Sequence, residues 1–102
     1  ISKPFWRKAM ELTLARSKAG HDKDQLYLVY AFDRDADNVI LVNGKNRTVE
    51  RPKIKREKHV QLIKHLNRDL VLLYEQSNLI DDVLVRKILK QYQEENSCRK
   101  QT

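Results

Sequence analysis

Leu26-Tyr27-Leu28-Val29-Tyr30-Ala31-Phe32 is the stretch that decides the fold. Its aromatic and β-branched residues suit a pleated, half-buried surface. Apolar side chains at nearly every position mean that both faces of this strand are partly covered. Upstream, Ser17 to Gln25 contains no large apolar residue and carries Gly20, which admits positive φ, so it forms the loop of a hairpin. Before that loop, Leu12, Leu14 and Ala15 alternate with Glu11, Thr13 and Arg16, the period of a half-buried strand.

Downstream, Asp33 to Asn38 is a turn dense in Asp and Asn. Val39-Ile40-Leu41-Val42 is a short buried strand. Asn43-Gly44 then predicts a two-residue type I′ turn, which needs φ > 0 at both positions. The return strand is expected over Lys45 to Glu50, with Pro52 ending regular pairing. Val60 to Ile63 supplies a last strand. Five short strands joined by hairpins predict a mainly β fold, a small closed barrel in which closure removes the exposed edges.

The character changes after the strands. Asn67 can cap a helix through Leu70, Val71, Leu72, Leu73 and Tyr74, and Ser77-Asn78 breaks it. Asp81 or Asp82 can cap a second helix with Leu84, Val85, Ile88, Leu89 and Tyr92 on one face and Arg86, Lys87 and Lys90 on the other. The expected organisation is a basic arm over residues 1–10, a barrel over 11–66, a helical extension over 67–95 and a flexible tail over 96–102. Phe5 and Trp6 in the arm, beside Arg7 and Lys8, either cap the open end of the barrel or offer bases a stacking platform.

The chain has 102 residues, enough for one domain with a modest core. Twenty-one basic side chains against fourteen acidic ones give a net charge of +7, which attracts polyanions. The charge is clustered: Lys18, His21 and Lys23 lie on the first loop, and five basic residues with one acid fill the eight positions Arg51 to Lys58. That density predicts phosphate binding by Arg51, Lys53, Lys55, Arg56 and Lys58 together with the first loop, the two meeting on one surface. Arg47 and Lys45, beside the Asn43-Gly44 turn, are weaker candidates.

Other chemistries find little support. His21, His59, His65 and Cys98 lack the paired spacing of a zinc site, so no metal or other cofactor is expected. Asp33, Asp35 and Asp37 form a turn rather than a calcium loop, lacking the distal Glu. No catalytic constellation is visible, and no small-molecule substrate or membrane is expected as partner. A single cysteine and the absence of a signal-like apolar run predict a reducing, cytoplasmic home.

Three blocks in order resemble one family. Ser17-Lys18-Ala19-Gly20-His21-Asp22-Lys23 resembles the loop of KOW-domain RNA-binding proteins. The likeness continues through Val39 to Arg47 and through Pro52-Lys53-Ile54-Lys55-Arg56-Glu57-Lys58-His59, covering residues 11 to 66. The family is similar to an archaeal and eukaryotic class of large-subunit ribosomal proteins. The resemblance implies an SH3-like barrel that binds ribosomal RNA, with no catalysis; the two helices read above follow it, and the chain is expected to be monomeric when free. It also implies phosphate contacts from the loop and from the basic segment. One departure is Asp24, which stands where the family usually has glycine and adds a negative charge near the proposed contact. The rival expectation is a protein-interaction module that docks partners on the barrel and helices.

Overall fold

The computed structural model describes residues 11–21, 23–77 and 79–100, with side chains to 96. The expected arm at 1–10, with Phe5 and Trp6, lies outside these residues. The elements are β1 (Leu14–Ser17), β2 (Leu26–Asp33), β3 (Asn38–Val42), β4 (Lys53–Arg56), a 3₁₀ turn (Glu57–His59), β5 (Val60–Ile63), α1 (Arg68–Glu75) and α2 (Asp82–Lys100). The strands form one antiparallel sheet in the order β4-β3-β2-β1-β5.

The expected closed barrel is not formed, because the order ends at β4 and β5 without pairing them. The sheet is nonetheless forced to curl. In a flat sheet, strands four places apart lie roughly 19 Å from each other. Here the two edge strands are consecutive in sequence, and the Glu57–His59 turn between them advances only about 6 Å. Even full extension would span about 14 Å. β2 does much of the bending: it pairs with β1 through its first half and with β3 through its second, and a bulge falls between Val29 and Ala31.

Each face of the curled sheet covers a separate core. Inside the curl, Ala15, Tyr27, Val29, Val39, Leu41 and Val60 are buried, with Phe32 and Leu62 against them. On the outer face, Leu14, Leu28 and Val42 meet Leu70 and Tyr74 of α1 and Ile80, Leu84, Val85, Ile88 and Leu89 of the α2 region. The two helices are therefore part of the domain core rather than an appendage. Alternation along β1 and β2 splits neighbouring residues between the two cores, which is why the 26–32 stretch is apolar on both faces.

Caps place the helices. Asn67 accepts the Asp69 N–H at 2.7 Å, and Leu70 and Tyr74, one turn apart, enter the core. Asp81 caps α2, accepting the Leu84 N–H at 2.9 Å. α2 continues to Lys100, so the tail expected from residue 96 is helical that far.

Tyr74 carries a pH signature. Burial first, and the neighbouring Tyr30 phenol second, push its pKa up from 10.0 to about 12. The folded chain keeps a phenolic proton that the unfolded chain releases. Tyr74's contribution is thus complete below about pH 10 and is lost as pH rises through about 12, roughly 2–3 kcal/mol in all. Urea unfolding at pH 9 and pH 11.5 is expected to show this extra loss in the parent chain and not in Tyr74→Phe.

Candidate nucleic-acid interface

The 17–25 loop is built from its own backbone. The Ser17 N–H donates to the Gln25 carbonyl at 3.0 Å, and the Asp24 N–H returns to the Ser17 carbonyl at 2.8 Å. Gly20 has φ +91° and Asp24 φ +70°. Asp24 thus occupies the left-handed conformation that glycine would adopt at least cost, and Arg16 Nη1 holds its carbonyl at 2.9 Å. Lys18, His21 and Lys23 are exposed on the outside of this closed loop.

The second basic segment is not the loop expected from the sequence. Lys53 to Arg56 are β4, an edge strand, and the return strand expected over Lys45 to Glu50 is instead part of a long connection. Pro52 precedes the strand rather than ending it, consistent with its missing N–H. In the register of β4 on β3, Lys53 stands opposite Leu41 and Lys55 opposite Val39. Both lysines therefore share the inner face of the sheet, and Ile54, 52 % exposed, faces outward. Both lysines are half-buried on this edge of the inner face.

Lys55 reaches across the open side of the curl. Its Nζ donates to Ser17 Oγ at 2.8 Å and to the Ala19 carbonyl at 2.8 Å. Ser17 is only 1 % exposed, and its hydroxyl also donates to the Ala19 carbonyl at 3.0 Å. The Lys18 N–H donates to the His59 carbonyl at 2.9 Å, extending the β1–β5 ladder past the strands. The two basic segments thus lie side by side. Lys18, His21, Lys23, Arg56, Lys58 and His59 are exposed there.

The surface has an acidic border. The Glu57 N–H donates to the Asp37 carbonyl at 3.0 Å, bringing the β2–β3 turn beside the 3₁₀ turn. Asp37, Arg56, Glu57 and Lys58 line an open cavity of about 390 Å³. Two carboxylates beside two cations weaken the positive field at this corner, and the exposed Asp24 does the same within the 17–25 loop.

Arg47 and Arg51 are not part of that surface. They lie in the connection 43–52, at the opposite end of β4; Arg51 precedes Arg56 by five residues, about 16 Å of extended chain. The Asn43-Gly44 turn is not type I′: Gly44 has φ +76°, but Asn43 is not among the described residues with positive φ. Instead Asn43 Oδ1 accepts the N–H groups of Lys45 and Arg47 at 2.9 and 3.0 Å. The connection is then fastened to α2, where Asp82 Oδ1 accepts the Val49 N–H at 3.0 Å and Arg86 Nη1 donates to the Gly44 carbonyl.

Sequence reasoning missed Ser17 and His59 as partners of the basic segments. The only clue was parity, since Ala15 and Ser17 alternate onto the inner face of β1. No protein-family model and no curated protein matches the chain. Among the described residues, no helix is long and apolar enough to cross a membrane.

Proposed function

We propose that this chain is a non-enzymatic RNA-binding protein of the KOW type, associated with the ribosome through the backbone of ribosomal RNA. The observation that carries this is the Lys55 bridge, which joins the 17–25 loop and β4 into one cationic surface. Lys18, Lys23, Arg56 and Lys58 are the phosphate contacts, with His21 and Lys53 beside them. Lys55 serves the surface from within. Two further features support the family. The return of β5 to β1 and the 3₁₀ turn before it suit a partly open SH3-like barrel. Asp24 takes up the backbone conformation that the family's glycine would favour.

Recognition through phosphates rather than base edges suits A-form RNA, whose deep groove hides the bases. Affinity for an RNA duplex or a ribosomal RNA fragment should then fall with salt, with a log–log slope of magnitude at least about 4. Lys18→Gln, Lys23→Gln and Lys58→Gln combined are expected to lower that magnitude by about 2 to 3 without unfolding the chain. An unchanged slope in filter-binding titrations would overturn this interface.

The second reading is a protein-docking module, favoured by Leu79 and Val83, which are 72 % and 63 % exposed around the start of α2. Sucrose-gradient sedimentation separates the two. An RNA-binding chain travels with large subunits and is stripped by high salt, whereas a docking module stays with its protein partner after nuclease treatment.

A further inference from the structure

Six cations outside the surface just described are gathered on the far side of the molecule. Lys45, Arg47 and Arg51 come from the connection 43–52, and Arg86, Lys87 and Lys90 from the first half of α2. Five of them are exposed, and Arg47 is half-buried.

These two elements are held together rigidly. Gly44 sits against α2 so closely that an added Cβ would lie 2.7 Å from the Asp82 carbonyl oxygen and 2.7 Å from Arg86 Cγ. The Arg86 guanidinium donates to the Gly44 carbonyl, and Asp82 Oδ1 takes the Val49 N–H. Lys45 is therefore adjacent to the Arg86 turn of the helix. Along the helix, Lys87 and Lys90 are three residues apart and share a face. Of the nearby acids, Asp81 and Asp82 each accept a backbone N–H and keep their charge, and Glu50 and Glu94 are exposed, so the six cations outnumber the four carboxylates around them.

Like charges fixed at this spacing repel, and nothing in the core requires them. A second stretch of polyanion satisfies them. We infer that the connection 43–52 and the first half of α2 form a second RNA-backbone contact surface, so that one chain engages two separate runs of phosphates. This inference rests on the proposed RNA-binding function and assigns a role to the C-terminal helix. The surface is built by the Gly44–α2 joint, which brings the three cations of the connection to the three of the helix.

The test uses the full chain and an RNA duplex of about two helical turns, titrated over a range of salt. Lys45→Gln, Lys87→Gln and Lys90→Gln combined are expected to reduce the slope by about 2 to 3, additively with the Lys18, Lys23 and Lys58 substitutions. Lys64→Gln with Arg68→Gln, exposed cations on the β5–α1 connection and at the first position of α1, is expected to change it by less than about 0.5 if no phosphate is contacted there. A slope unmoved by the α2 triple, in a chain that still responds to the Lys18 triple, overturns the second surface and leaves the first standing. An equal response per charge to the Lys64 and Arg68 control also overturns it, since net charge would then explain everything. A parent chain with no salt response removes the RNA-binding reading itself.

Discussion

Gly44→Ala is expected to destabilise the fold by about 3–4 kcal/mol. Two costs combine. At φ +76° an L-residue is strained, by about 1–2 kcal/mol. The new methyl would also stand 2.7 Å from a backbone oxygen, that of Asp82, which cannot rotate away like the Arg86 side chain. Relief requires α2 to shift, and α2 carries Leu84, Val85, Ile88 and Leu89 into the outer core. Gly44→Asn separates the two terms, because Asn tolerates the left-handed region but brings the same Cβ. It should recover only a minor part of the loss. Urea denaturation measures the total, and amide hydrogen exchange should show the gain in opening concentrated in the connection 43–52 and the first turns of α2. A Gly44→Ala protein as stable as the parent would mean that the joint does not hold the helix.

Lys55→Met is expected to cost about 2 kcal/mol, the loss of two charge-assisted hydrogen bonds moderated by the partial exposure of the ammonium group. Met keeps most of the apolar stem, so the change isolates the head group. Ser17 Oγ retains the Ala19 carbonyl as acceptor and is not orphaned. The edge of β4 loses its tie to the 17–25 loop, and exchange of the Lys18 and Asp24 amides should accelerate. RNA affinity should drop as the loop loosens, while the salt slope stays within about 0.5 of the parent, since no phosphate contact is removed. A slope lowered by a full unit would instead make Lys55 a phosphate ligand.

The behaviour of Lys55 shows why part of the interface was legible and part was not. Clustered charge at Lys18, Lys23 and Arg51 to Lys58 is a property of composition along the chain, and it is visible without coordinates. The direction of each side chain is not. Lys53-Ile54-Lys55-Arg56 has the period-2 alternation of a strand, but apolar-inward reasoning points Ile54 to the core and the lysines to solvent. In the molecule the polarity is inverted, because an edge strand at the rim of a curled sheet can half-bury its lysines and still deliver their heads to polar partners. The same inversion hid β4 as a strand and split the basic segment between a tether and a surface.

Asn43-Gly44 failed for a related reason. The dipeptide does turn the chain, but only Gly44, not Asn43, takes the positive φ that a type I′ hairpin needs at both positions. Its conformation is held both by the Asn43 side chain, which accepts the Lys45 and Arg47 N–H groups, and by a helix forty residues away in sequence. By contrast, Val60 to Ile63 and the Asn67 cap were readable in place, since both depend on neighbours along the chain.

What the sequence determined by itself is local: apolar alternation, caps, turn residues and the excess of positive charge, each encoded within a few residues. The tertiary structure decided which strands are edges, which way β4 faces, and that Arg47 and Arg51 part company with Lys18 and Lys58. Those outcomes follow from a three-residue turn joining the two edges of a five-stranded sheet, a geometric demand that bends the whole sheet at once and is written at no single position.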